Sequence, residues 1–300
     1  MDHRTVEKRT LGRTNAVVSA LGFGGAPAGL TGYMTDYNAA DQVAQQTAER
    51  ALGAAIDAGV TYFDTAPGYG SGISEEIYGR ALGNRRADVF LATKTSRGKW
   101  SPEGIRESLE ESLRRLGTDA VDLLQFHGGW LTDEDVTNIL DRGGLETYER
   151  LRDEGKVRYL GFTAEGANGA VERLIATGRF DTMMMCFNLV YQGAGAYRNG
   201  DLPSETALSL ARAQGMGIIT MRSLTSGVFQ RWLSQVAPNL VDQLDWNAYL
   251  LGFVLSHPQV DVCLAGMRTA DEVAQNIATA SDPKFRVDMQ QMHDAYLGRR

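Results

Sequence analysis

Tyr62-Phe63-Asp64-Thr65-Ala66-Pro67-Gly68-Tyr69-Gly70 is the stretch on which the reading of this chain turns. It continues an apolar strand, Val60 to Phe63, and ends in a turn rich in Gly and Pro. Between strand and turn stand a carboxylate, Asp64, and a phenol, Tyr69. A short strand feeding a Gly-rich loop with titratable groups is how a barrel of alternating strands and helices presents chemistry. The next two strands repeat the arrangement. Lys94 closes Val89–Thr93, and His127 closes Val121–Phe126. Asp, Tyr, Lys and His thus fall at the carboxyl ends of three successive strands.

Outward from this stretch the pattern recurs. Residues 5 to 18 form a small hairpin turning at Leu11–Asn15, and Ser19 to Phe23 is a first strand running into Gly24-Gly25. Helical periodicity covers 41–58, 74–82, 101–116, 144–154, 167–177, 204–213, 246–256, 269–279 and 287–298. Strands fall at 60–63, 89–93, 120–126, 157–162, 181–187, 216–221 and 260–265. Ser74 and Ser101 open their helices, and glycines such as Gly59 stop them. The strands are short and continuously apolar, as parallel strands buried on both faces must be. Eight strand–helix units predict a (β/α)8 TIM barrel with an N-terminal β-hairpin, in a single domain over 1–300. A doubly wound open sheet would show G-x-G-x-x-G after its first strand, and Gly22-Phe23-Gly24-Gly25-Ala26-Pro27 does not match.

Composition narrows the function. The 300 residues are 43% hydrophobic and carry a net charge of −7 with the signs interspersed. A basic stripe for nucleic acid is missing, as is any apolar run long enough to span a membrane. The polar start, Met1-Asp2-His3-Arg4, lacks the apolar core of a signal peptide, so a cytoplasmic location is the expectation. The two cysteines, Cys186 and Cys263, sit inside strands and are read as buried small apolar residues; no metal site is expected.

The tetrad suits acid/base work on a carbonyl. Hydride reduction of a carbonyl needs a proton for the developing alkoxide. A phenol is too weak an acid for this unless a neighbouring ammonium favours the phenolate. Lys94 is placed to supply that ammonium, Asp64 to hold it charged, and His127 to hydrogen-bond the substrate oxygen.

Asp64-Thr65-Ala66 with Tyr69-Gly70, then Thr93-Lys94, then Leu123-Leu124-Gln125-Phe126-His127, together resemble the aldo-keto reductases. The resemblance extends through Arg9–Thr14, Val18–Gly24, Gly155–Gly161 and Gly266-Met267-Arg268, nearly the whole chain. It implies a (β/α)8 barrel and NAD(P)H-dependent reduction of an aldehyde or ketone, or the reverse reaction. It makes Tyr69 the general acid, tuned by Lys94 and Asp64, with His127 orienting the carbonyl.

On the cofactor side the resemblance implies Gly24, Gly25, Thr163, Met221, Ser223, Leu224, Ser226, Gly266, Arg268, Glu272, Gln275 and Asn276. Three positions depart from the family. Ala164 replaces a carboxamide-holding Asn, Met184 a Gln, and Met221 the aromatic that stacks on the nicotinamide; Glu165 and Asn168 are the candidates to compensate. Arg268 favours NADP through a 2′-phosphate, whereas a carboxylate at Glu272 favours NAD. Arg268 and Glu272 also read as a solvated helix pair. Tyr33, Trp100, Trp130 and Tyr191, with Tyr37, Tyr197 and Phe229, are candidate walls of the substrate pocket. Two other functions compete: a nucleotide-binding regulatory subunit without turnover, and a lyase or isomerase using the same acid/base set without net redox change.

Overall fold

A computed structural model describes residues 6–33, 36–192 and 206–296. Tyr197 and the outer ends of two expected helices, at 204–205 and 297–298, lie outside the described residues. The strands are β1 (Lys8–Thr10), β2 (Val17–Ser19), β3 (Leu21–Gly24), β4 (Tyr62–Asp64), β5 (Phe90–Ser96), β6 (Val121–His127), β7 (Val157–Ala164), β8 (Thr182–Cys186), β9 (Gly217–Met221) and β10 (Val262–Gly266). The helices before the barrel's midpoint are α1 (Ala26–Gly29), α2 (Gln42–Asp57), α3 (Ile73–Leu82), α4 (Pro102–Leu116), α5 (Asp133–Leu140) and α6 (Gly144–Asp153). Those after it are α7 (Gly169–Ala176), α8 (Ala207–Ala213), α9 (Val228–Val236), α10 (Pro238–Val241), α11 (Trp246–Ser256), α12 (Ala270–Ser281) and α13 (Met289–Tyr296).

Among the described residues β3 to β10 pair in parallel and close on themselves, β10 returning to β3, which is the expected (β/α)8 barrel. β1 and β2 form the antiparallel hairpin. The expected first strand, 19–23, is divided: Ser19 ends the hairpin and the barrel strand begins at Leu21. Sequence periodicity misses α5, although Thr132 and Asp135 close a reciprocal capping box at its start.

Strand parity builds two layers. Tyr62, Phe90, Ala92, Leu123, Met184, Ile219 and Val262 pack together inside the barrel. The alternate residues, such as Phe63, Leu91, Leu124 and Phe126, pack outward against the helices. Carboxylates pin the strands at the lower rim. Asp122, Asp181 and Asp261 accept the backbone N–H of Leu91, Leu160 and Ile218, each at 2.9 Å. Each is also paired with arginine: Asp122 with Arg86 and Arg158, Asp181 with Arg13, Asp261 with Arg212. These bonds fix alternate strand seams, and with them the register that sets which side chains face inward.

The hairpin plugs the lower mouth. Leu11 and Val18 join the interior cluster, and Arg13 N donates to Gly215 O at 2.6 Å. Gly12 lies at φ +46°, and a Cβ there would stand 2.2 Å from the backbone nitrogen of Gly217. The contact is backbone against backbone, so nothing flexible can yield. Gly12→Ala is therefore expected to destabilise the fold by about 1–3 kcal/mol, the usual range for overpacking or a strained backbone, measured as a lower urea midpoint. An unchanged midpoint would show that the hairpin is not a fixed plug.

Candidate active site

Parity places Tyr62 and Asp64 on the inner side of β4. Lys94 is not the residue after a strand, as the sequence suggests. β5 runs on to Ser96, so Lys94 stands within it, and its side chain is buried in the barrel, 1% exposed. Its ammonium donates to the Asp64 carboxylate and, at 2.8 Å, to the Thr65 carbonyl. It also lies 3.4 Å from the Tyr69 hydroxyl. Gln125 Nε2 donates to the other Asp64 oxygen at 3.0 Å. Gln125 is a site residue that the sequence reading does not single out, although it stands two before His127 and so shares its face.

Tyr69 is held by the loop after β4. Gly70 takes φ +69°, and a Cβ on it would lie 2.0 Å from the carbonyl oxygen of Gly29 in α1. The loop is thus pressed against α1, with the Tyr69 carbonyl beside Gly29. Ser74 does not cap α3. Gly72 takes that position, and the Ser74 hydroxyl instead accepts from Thr65 at 2.8 Å and donates to Gly25 O at 3.0 Å. Glu75 is likewise more than a first-turn carboxylate: it is buried, accepts from Thr93 at 2.6 Å and pairs with Arg115 at 2.7 Å. The His127 ring meets Tyr69 edge to face, centroids 5.6 Å apart.

The electrostatics differ from the sequence expectation at one point. Burial raises the Tyr69 pKa above the phenol range, and the Lys94 ammonium only partly opposes this. The phenol is therefore held protonated. Burial also opposes the charge on Lys94, but Asp64 and Tyr69 outweigh it and keep the ammonium's pKa above its ordinary value. Burial lifts Asp64 against the pull of Lys94. Burial, with repulsion from Lys94, drives His127 down to about 3, so the imidazole is neutral near pH 7.

Asp64, Tyr69 and His127 line a cavity of about 220 Å³. Gly24, Gly25 and Gly266 border it, as do Met221, Ser223, Leu224 and Ser226. Tyr33 also lines it, and its hydroxyl lies 2.8 Å from Ser226 Oγ, joining the loop after β3 to the loop after β9. In that second loop Arg222, Thr225 and Ser226 all have positive φ.

The other candidates are placed elsewhere. Trp100 is buried, with its ring edge-on to Phe126 and its Nε1 donating to Thr95 O at 2.9 Å; it packs the barrel's exterior and lines neither that cavity nor the pocket at Trp130. Trp130 and Tyr191, with Phe229, line a second pocket of about 530 Å³. It shares Glu165 and Arg222 with the first. Cys186 also faces it, its thiol pushed up to about 11 by burial. Thr163 is buried outside the cavity lining and donates its hydroxyl to Gly128 O at 3.1 Å. Asn168 caps α7 and donates to Leu131 O, so it does not compensate for Ala164.

Arg268 precedes α12, and Glu272, Gln275 and Asn276 stand in its first two turns. The Arg268 guanidinium lies 4.7 Å from the centre of the Tyr37 ring. Tyr37 is itself tied to Ala28 O at 2.9 Å. The Glu272 carboxylate turns back to cap the backbone N–H of Arg268 and Thr269. Gln275 is exposed and Asn276 buried.

The Aldo/keto reductase family model matches residues 20–296. Among curated proteins the chain is 29% identical to an uncharacterized oxidoreductase, YqkF, of Bacillus subtilis, across 92% of both chains. It is 27% identical to L-galactose dehydrogenase of Arabidopsis thaliana, across 92% of this chain and 89% of the other. Among solved structures it superposes on the holo form of an aldo-keto reductase from Bacillus halodurans with a TM-score of 0.75, at 25% identity, covering 97% of this chain and 96% of that one. A Klebsiella pneumoniae aldo/keto reductase solved with NADP and acetate gives 0.74 at 23% identity, covering 98% and 97%.

The buried pair has a measurable signature. Lys94→Met leaves the Asp64 carboxylate unpaired and is expected to lower stability by about 3–5 kcal/mol. The double variant Asp64→Asn/Lys94→Met, with neither charge, is expected to recover a large part of that loss in a urea double-mutant cycle. Strictly additive losses would show that the two groups do not act as a pair.

Proposed function

Because this chain belongs to the aldo/keto reductase family, we propose that it is an NADP(H)-dependent oxidoreductase that reduces a small aldehyde or ketone to the alcohol, or runs the reverse. The observation that supports this most is the Lys94 ammonium bonded to Asp64 and in reach of the Tyr69 hydroxyl, beside a neutral His127 in one small cavity.

The donor set fits a nicotinamide dinucleotide phosphate. The cavity has room for a pyridine ring and a small carbonyl compound. Ser223, Leu224 and Ser226 lie on a loop with left-handed residues at Arg222, Thr225 and Ser226, and turns that combine left- and right-handed residues suit phosphates. Arg268 offers a guanidinium for a 2′-phosphate. The Glu272 carboxylate is used on the backbone N–H of Arg268 and Thr269, while the Arg268 guanidinium lies over the Tyr37 ring. These features favour NADP over NAD, in keeping with the NADP complex of the Klebsiella relative. When bound, the dinucleotide supplies or takes the hydride.

The chain's own residues handle the proton. Two groups face the carbonyl, and their pKa values divide the roles. His127, at about 3, carries almost no proton to give at pH 7; as a neutral imidazole it donates one N–H to the carbonyl oxygen and sets its position. Tyr69 keeps its proton and is the acid. As the proton leaves, charge develops on the phenol oxygen 3.4 Å from the ammonium, an attraction on the order of 5 kcal/mol at an effective dielectric of about 20. Lys94 thus stabilises the phenolate that the reaction forms, and Asp64 keeps the ammonium charged and aimed.

Tyr69→Phe is expected to lower kcat for carbonyl reduction by at least about 100-fold while NADPH affinity stays within about twofold. Near-normal turnover in the variant would refute the acid assignment. With Tyr69 protonated and His127 neutral, kcat/KM for reduction is expected to be flat from about pH 5 to 8 and to fall only as the phenol ionises at alkaline pH. The reverse oxidation should rise with pH over that same alkaline range. An inflection near pH 6.5 that His127→Asn removes would contradict this division of roles.

A further inference from the structure

We infer that Glu165 and Arg222 together hold the carboxamide of the nicotinamide ring, doing in this chain what neutral side-chain amides do elsewhere. The inference rests on the oxidoreductase reading above.

The cavity is short of uncommitted polar groups. Asp64 is engaged by Lys94 and Gln125, and Ser226 by Tyr33. The Ser223 hydroxyl is buried 3.3 Å from Thr220 Oγ1. Tyr69 and His127 serve the carbonyl. At the end of β7 the Thr163 hydroxyl is spent on Gly128 O, and Ala164 is buried without a polar side-chain atom. On β8 the lining residue is the thioether of Met184. A primary amide needs an acceptor for its N–H and a donor for its C=O. Glu165 and Arg222, which both line the cavity, supply one of each.

Their geometry leaves the needed atoms open. Arg222 Nε and Nη2 both donate to Glu165 Oε1, at 3.2 and 2.8 Å. Oε2 therefore remains for an amide N–H. Arg222 Nη1 makes only a 3.5 Å contact with Ser226 Oγ and remains for an amide oxygen. The pair is also held in place. Arg222 sits at φ +57°, a left-handed conformation that residues with a Cβ rarely adopt, and its carbonyl accepts from the buried Asn188 Nδ2 at 2.9 Å. Strain of this kind persists where the surrounding structure imposes it. The ion pair ties the half-exposed guanidinium to the carboxylate at the edge of the cavity and compensates its charge there.

The test is a binding experiment that does not depend on turnover. The purified protein and its Glu165→Ala variant are titrated, by intrinsic fluorescence or calorimetry, with NADP⁺, with its 3-acetylpyridine analogue and with 2′-phospho-ADP-ribose. The analogue replaces the carboxamide NH₂ by a methyl group, and the last ligand lacks the pyridine ring. A lost hydrogen bond to a charged acceptor corresponds to at least about tenfold in affinity. The unaltered protein is therefore expected to prefer NADP⁺ to the acetylpyridine analogue by about tenfold or more. In Glu165→Ala that preference should shrink to about twofold or less, with 2′-phospho-ADP-ribose affinity unchanged. Glu165→Gln, which keeps an acceptor, should retain most of the preference and guards against a misfolded alanine variant. A preference that survives in Glu165→Ala overturns the inference, as does an equal weakening of all three ligands. If the unaltered protein binds none of the three, the oxidoreductase reading itself fails.

Discussion

The ion pair of Lys94 and Asp64 is the constraint to which the upper half of the barrel conforms. Both side chains are 1% exposed, and taking two charges out of water is expensive unless each is fully met by partners. The surroundings meet that demand. Asp64 receives Lys94 on one oxygen and Gln125 on the other. Lys94 reaches the Thr65 carbonyl and the Tyr69 hydroxyl as well. Three strands and one loop therefore have to hold their register for the pair to exist at all. The Asp122, Asp181 and Asp261 bonds at the opposite rim, and the Gly29–Gly70 contact beside Tyr69, keep that register and that loop in place.

On the proposed function, that pair also explains how a buried tyrosine would act as the acid. Burial alone makes a phenol a poorer acid, and the net effect here is in that direction. The low dielectric that disfavours the phenolate also strengthens its attraction to the ammonium once charge begins to form. The proton is thus kept until the substrate needs it. The same burial keeps His127 neutral, a form that can donate one hydrogen bond but carries no extra proton to give. A single environment thus moves the pKa values of two titratable groups in opposite directions.

How much of this was legible in the residues depended on distance along the chain. The barrel could be read because its signals are local: apolar runs, the capping Ser101 and glycine stops. The capping box at Thr132 and Asp135 is equally local, but α5 has only eight residues and buries only Val136 and Ile139 among its apolar ones, too short a stripe for periodicity to show. The tetrad could be read from strand ends, yet the position of Lys94 inside β5 could not, since a strand's last residues are set by pairing with β6. Trp100 shows the limit for aromatics: the same residue type lines a pocket at Trp130 and packs on Phe126 at Trp100, and only tertiary contacts decide which. The Glu165–Arg222 pair joins loops after β7 and β9, so no local pattern announces it. The weakened family pattern at Ala164, Met184 and Met221 was visible, and it marked the place where a substitute had to be sought.

The central claim is that this polar unit serves carbonyl reduction by a reduced nicotinamide dinucleotide. The most direct measurement mixes the purified chain with NADPH and para-nitrobenzaldehyde and follows both the loss of nicotinamide absorbance and the alcohol formed. The experiment is repeated with NADPH deuterated at either face of nicotinamide carbon four. The account predicts stoichiometric alcohol formation and a slowed rate with deuterium on one face only, the label appearing in the alcohol. Tight NADPH binding without dinucleotide oxidation, across this aldehyde and a panel of aliphatic aldehydes and ketones, would contradict it.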